Sequence, residues 1–378
     1  EVEGRMLEEN FKLNKYFNSN DILESIDPAV SQIEGKIRNQ NQFIFRLIKG
    51  EKFTQAREAI AVAIQKNPNI SSHYYLLATL EILEKNDRAA AEKNFKKVIQ
   101  LNDLNFQGYI GLAKLALDNK QINQSKEYAN KALLINPYAL NAYKVLVDIA
   151  RQQENGESVA ENVLLDGLKK VKGNLEIELD ILKILGKLYD YTKQPEKSLY
   201  LAEELVGRNK GDLSALSYLT YVQMANQKTA DAERNLRYLI THDNKDLQYK
   251  FILARLLSEQ KGKEKEVLGL LDEIEQKHSN PSFILTFKTV FLIKQKLFKQ
   301  ALLVAKKVDE LDPKRSAGKI LKGDVYLAEK KYAEALLNYQ QAYQLRPTTK
   351  LLDAMIKILT VQNKYKDVIV LLENELEK

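Results

Sequence analysis

The 378-residue chain has no cysteine, three histidines, 7 prolines and 15 glycines. Without thiols there is no disulfide, no thiolate nucleophile and no cysteine metal site. The same absence suits an oxidising compartment, where unpaired thiols are a liability, although a thermophilic or compositionally biased cytosolic protein could look alike. No apolar run approaches the roughly 18 residues needed to span a bilayer, so no transmembrane helix is expected. The opening stretch EVEGRMLEEN is charged and lacks the basic-then-apolar order of a signal peptide. Two expectations follow: a cytosolic protein, or a chain whose leader or lipid anchor lies upstream.

What is present favours helix. Hydrophobic residues make up 44% of the chain and charged ones 29%, with Leu, Ala, Glu, Lys and Gln dominating. Lys and Arg (58) exceed Asp and Glu (51), giving a net charge of +7, but the two signs are interleaved, as on solvated helical surfaces. A nucleic-acid binder would concentrate positive charge on one face with aromatics between, so no nucleic acid is expected; RNA binding is kept as a third reading. His73, His242 and His278 lie far apart, at helix edges or turns, without helical two-His spacing or a positioned carboxylate. Glu203 and Glu204 are consecutive and diverge by about 100° on a helix, a poor acid/base pair. With no phosphate-binding or nucleophile-elbow motif, the sequence predicts no enzyme, no cofactor and no metal.

A period organises the chain. Pro313 and Pro347 are 34 residues apart, each closing an apolar-periodic segment, and Pro68 and Pro137 are 69 apart, two such periods. Repetition at this length means stacked small units. Numbering the copy from Ser316 as position 1 puts Gly323 at 8, Tyr326 at 11, Ala335 at 20, Tyr339 at 24, Ala342 at 27 and Pro347 at 32. The frame recurs in Leu112, Ala113, Ala116, Ser125, Ala129, Ala132 and Pro137, and in Gly186, Tyr189, Ser198 and Ala202. On these residues the chain resembles the tetratricopeptide repeat (TPR) family. The resemblance implies an all-α, right-handed superhelical solenoid of nine to ten helix-turn-helix repeats, starting near 37, 71, 106, 140, 179, 213, 247, 282, 316 and 350. Small residues at positions 8 and 20 let paired helices approach, and bulky ones at 4, 11 and 24 fill the space between. Tyr339 and Tyr343 are thereby expected in the core. Residues 1–36 are expected to form an N-terminal helical cap or the remnant of a preceding repeat, and 37–378 the array, its last repeat cut off.

The family's concave groove is lined mainly by first-helix positions 2, 5, 9, 12 and 13. Here these are Gln107, Lys114, Asp118, Asn141, Lys144, Asp148, Arg151, Asp180, Lys183, Lys187, Asp190, Tyr191, Ser217, Tyr221 and Arg255. Of these, Lys114, Lys144, Asp148, Arg151, Lys183, Lys187, Tyr191, Tyr221 and Arg255 are the expected binding residues, suited to an extended peptide or a polysaccharide. The carboxylate clamp of some family members needs Asn at position 9; Asp148 and Lys187 stand there, so that role is not expected. Further along the groove positions turn apolar: Thr286, Val290, Ile293, Ile320, Leu327, Ala354, Ile358 and Val361. Such a patch implies contact with a partner helix, a second copy or further repeats. More narrowly, the repeat order from SHYYLLATL to LLDAMIKIL resembles bacterial TPR lipoproteins that accompany exosortase (PEP-CTERM) and exopolysaccharide systems. That resemblance implies a periplasmic or outer-membrane-associated protein scaffold with an upstream lipid anchor. The alternative is a cytoplasmic peptide-binding adaptor.

Overall fold

The computed structural model describes residues 34–242, 247–278 and 281–376; the proposed N-terminal cap lies almost wholly outside them. The described residues form twenty α-helices and no strand. They follow one another as ten pairs: α1 Glu34–Lys49 and α2 Phe53–Lys66; α3 Ser71–Lys85 and α4 Arg88–Leu101; α5 Phe106–Asp118 and α6 Ile122–Ile135; α7 Leu140–Ala150 and α8 Gly156–Val171; α9 Leu175–Tyr191 and α10 Pro195–Arg208. The remaining pairs are α11 Leu213–Ala225 and α12 Thr229–His242; α13 Leu247–Leu257 and α14 Glu264–Lys277; α15 Ser282–Lys294 and α16 Phe298–Leu311; α17 Ala317–Ala328 and α18 Tyr332–Leu345; α19 Thr349–Val361 and α20 Tyr365–Leu376. Each first helix starts within four residues of the repeat start expected from the frame. The chain divides into two compact units, one ending at Val222 and the other beginning at Gln223.

The two kinds of turn are built differently. Every turn inside a pair contains one residue with positive φ: Glu51, Asn86, Lys120, Asn155, Lys193, Gln227, Gly262, Lys296, Lys330 and Asn363. At Lys330 the backbone closes in the Schellman manner, with Lys330 N donating to Leu327 O (3.0 Å) and Lys331 N to Tyr326 O (2.8 Å). The side chain pays for a left-handed residue that glycine would adopt without Cβ strain. Several turns between pairs instead follow an extended C-cap, at Asn102, Asn136, His278 and Arg346, and asparagine side chains hold two of them. Asn102 Oδ1 accepts from Leu104 N and Asn136 Oδ1 from Tyr138 N, both at 3.0 Å. Asn105 then caps α5 by accepting from Gly108 N at 3.0 Å.

The frame's small-and-large rule is visible in the packing. A Cβ on Gly323 would lie 2.6 Å from the Tyr339 ring, and one on Gly111 2.5 Å from Phe95. Ala113, Ala129, Ala301, Ala335 and Ala342 are wholly buried. In the first unit, Ala142, Tyr143, Leu164, Ile181, Leu185, Tyr189 and Ala202 belong to one continuous core. In the second unit Leu253, Leu257 and Leu271 form one cluster, and Tyr339, Leu351 and Met355 another. Tyr339 is 3% exposed, its ring burial is worth about 1.5–3 kcal/mol, and its hydroxyl donates to Asp324 Oδ1 at 2.6 Å. Tyr343 is only half-buried, because its hydroxyl reaches Glu375 on α20.

Candidate binding groove

Helices α7 and α9 are the first helices of consecutive pairs in the first unit. Apolar positions on each fix which face turns inward: Tyr143, Val147 and Ala150 on α7, and Ile181, Leu185 and Leu188 on α9 are buried. The opposite faces meet in an open depression of about 350 Å³ lined by Leu140, Asn141, Lys144, Asp180, Lys183, Ile184 and Lys187. Three of the expected binding residues, Lys144, Lys183 and Lys187, are thus brought together. Lys183 Nζ sits 3.0 Å from Asp180 Oδ1. Among the described residues neither Lys144 nor Lys187 forms an ion pair, and both are exposed. Asn141, expected as an open groove residue, is instead 7% exposed and forms part of the floor with Leu140 and Ile184.

The remaining expected residues distribute around this depression or away from it. Tyr191 lies one turn beyond Lys187 on α9 and is 72% exposed, and Tyr221 on α11 is 64% exposed. Neighbouring tyrosines behave otherwise: Tyr189 donates to Glu161 Oε1 (3.1 Å) and Tyr218 to Leu182 O (2.7 Å), and both rings are buried. Burial pushes the Tyr218 phenol up to about 12. Asp148 and Arg151 are exposed on the last turn of α7 and its cap. Lys114 is not in this depression. It is half-buried on α5, beside a small cleft lined by Tyr75, Ile82 and Phe95. Arg255 is exposed on α13 and belongs to the second unit.

Several expectations need correction. Gln107 is 1% exposed, because it sits in the packed first turn of α5, and its Nε2 has no hydrogen-bond partner. His73 lies at a helix edge but is fully buried in the first turn of α3, where burial lowers its pKa. In the apolar stretch, Val290, Leu327 and Val361 are exposed as expected. Ile358, however, is 2% exposed and packs into the cluster with Leu351 and Met355. Sequence reasoning missed Leu140 and Ile184, which make the apolar floor; they fall at frame positions 1 and 6, which the groove rule does not read. Among the described residues no group of three or more His, Cys, Asp or Glu is arranged to hold a metal, and no helix is long and apolar enough to cross a membrane.

Amines, an amide and an aliphatic floor can bind and orient carboxylate or peptide groups; the groove contains no pair suited to activating a nucleophile. Paired helices repeated in this way define a helical-repeat protein. Two of the repeats match the tetratricopeptide repeat family directly, over residues 106–138 and 319–349. A human curated relative, "Protein O-mannosyl-transferase TMTC1", is 23% identical over 215 residues, 56% of this chain. The chain spans 24% of that relative's length. Among solved structures, MamA from Desulfovibrio magneticus is 17% identical, covering 44% of this chain and 93% of that one, with a TM-score of 0.37. A TPR protein from Parabacteroides merdae is 13% identical, covering 77% and 98%, with a TM-score of 0.39. The narrower resemblance to exosortase-associated lipoproteins rests on sequence order alone.

Proposed function

We propose that the chain is a non-enzymatic protein-interaction scaffold whose α7–α9 groove takes an extended segment of a partner protein. The observation that carries this reading is the convergence of Lys144, Lys183 and Lys187, from two successive repeats, over the Leu140, Asn141 and Ile184 floor. The amines select carboxylates or backbone carbonyls, and exposed Tyr191 offers a ring for stacking at the end of the α9 face. The O-mannosyl transfer in the human relative's name is left to that protein, of which the matched part is about a quarter. For place of work we propose the bacterial envelope, in a polysaccharide assembly or export system. The cysteine-free composition and the order of repeats support it. A cytoplasmic adaptor is the alternative.

The test is site-specific photo-crosslinking from position 191 in cells, comparing the unaltered lysines with Lys144→Glu, Lys183→Glu and Lys187→Glu combined. The expected result is an envelope protein crosslinked only when the lysines are present, with thermal unfolding unchanged. Retention of the same crosslink in the charge-reversed chain would refute the groove, and a cytosolic partner would refute the compartment.

A further inference from the structure

Leu327, Ala354, Ile358 and Val361, among the apolar groove positions read from the sequence, line a second groove, in the second unit. Its volume is about 380 Å³, and it runs along α19 between Leu327 at the end of α17 and Tyr332 at the start of α18. On the α19 side Lys350, Ala354, Lys357 and Val361 succeed one another at i, i+4, i+7 and i+11, which sets them in one stripe down the helix. Ile358 flanks the stripe towards the core, and Asp353 flanks the other side. Val361 is 63% exposed. Two features therefore coincide: an apolar ridge and wall open to solvent, and two lysines standing within it. Among the described residues neither Lys350 nor Lys357 forms an ion pair. The nearby Glu329 is already bound to Lys331 at 2.9 Å.

We propose that this groove docks an amphipathic helix of a partner protein that carries two acidic residues seven positions apart, bracketing its apolar face. The spacing follows from α19 itself. Lys350 and Lys357 are separated by about 10.5 Å along the helix axis, so a helix packed alongside must offer its carboxylates at the same interval, whichever way it runs. Between them, apolar residues at i+3 and i+4 fall on Ala354 and the Leu327 and Tyr332 wall. Asp353 at the edge disfavours a third carboxylate on its side. A second copy of this chain is a poorer occupant. Its exposed apolar helix face, Tyr365, Ile369 and Leu372 on α20, has Lys366 and Glu373 seven apart, so one lysine of the groove would meet another lysine.

The experiment uses the 378-residue chain and two fluorescent helical peptides with the same leucine face, one bearing Glu at the two flanking positions and the other Lys. Binding is read by anisotropy at about 0.05 M and about 0.5 M salt. The Glu peptide should bind at least about tenfold more tightly at low salt and lose most of that advantage at high salt. Lys350→Glu with Lys357→Glu should invert the order, and Val361→Asp should weaken both peptides, with circular dichroism melts unchanged because all three side chains are exposed. Equal binding, no binding, or a preference that survives charge reversal overturns the proposal. So does a dimer, seen by light scattering, that Val361→Asp dissociates. Failure here leaves the α7–α9 groove untouched, since the lysine variants tested there lie in the other unit.

Discussion

Arg208→Met tests how charge is buried in these repeats. Glu178, in the first turn of α9, has a side chain only 2% exposed and receives both guanidinium nitrogens of Arg208, at 3.2 and 2.6 Å, plus the Gly173 N–H at 2.6 Å. Burial alone would raise its pKa; hydrogen bonds from Arg208 and Gly173 outweigh it, and the carboxyl lies below its ordinary value. Methionine keeps most of the arginine stem and removes the cation, leaving a buried carboxylate on one backbone donor. Breaking a fully buried pair costs about 3–5 kcal/mol, but Arg208 is 32% exposed, so water screens part of the loss and about 2–3 kcal/mol is expected. The pH dependence gives the sharper test. In the unaltered protein the folded pKa is depressed, so the contribution is present above the unfolded value of about 4.5 and is lost as pH falls through the folded one. In Arg208→Met the folded pKa moves above the unfolded one, so the deficit shrinks on acidification from pH 7 towards about pH 5. Repeat arrays need not unfold in one step, so urea unfolding by far-UV circular dichroism should be paired with hydrogen exchange of α9 and α10 amides. A cost below about 0.5 kcal/mol, or one equal at pH 7 and pH 5, would refute this account.

Three further outcomes are expected. Ala335→Leu should overpack the wholly buried α17–α18 junction by about 1–3 kcal/mol, and an unchanged urea midpoint would count against the repeat frame. Lys330→Gly, at φ 62°, should raise stability by about 0.5–1 kcal/mol by relieving a left-handed backbone, whereas destabilisation in a thermal melt would contradict the turn geometry. Burial pushes the His73 imidazole below its ordinary value, so stability should be full above about pH 6.5 and fall as pH drops from there through the folded pKa. His73→Leu should flatten melting temperatures over that window.

The fold was legible because each repeat writes the same contacts at the same spacing. Gly323 opposite Tyr339, and Ala113, Ala301 and Ala335 at fixed positions, report helices too close to admit larger side chains, and that closeness is local to one repeat. The turns inside pairs were harder to read. Nine of the ten left-handed positions there are Glu, Asn, Lys or Gln rather than Gly, and at all of these but Asn155 backbone bonds closing the helix end hold a conformation their side chains do not favour. The groove was legible only in part. Repeat position identified Lys144, Lys183 and Lys187, but how deep a side chain sits depends on the neighbouring repeat. Asn141 and Gln107 are therefore buried at positions the rule reads as open.

Charge pairing distinguishes basic residues that tie the array together from Lys144 and Lys187, which form no ion pair among the described residues. Several ion pairs join residues about one repeat apart in sequence: Lys197 with Glu161 at 2.8 Å, Lys294 with Glu259 at 2.8 Å and Lys307 with Glu275 at 2.9 Å. Such half-exposed pairs contribute at most about 1 kcal/mol each, so they tie successive hairpins together locally without carrying the stability, which comes from the apolar core. Lys144 and Lys187 also lie on successive repeats, yet neither forms an ion pair among the described residues, and Asp180 in the same depression is bound to Lys183. Unpaired lysines are common on exposed helix faces, where water solvates each alone. These two instead share a depression with an aliphatic floor, where a bound carboxylate would be partly shielded from water and would meet both amines at once. Salt should therefore change the stability of the array little, because the core dominates, while weakening the binding proposed for the groove.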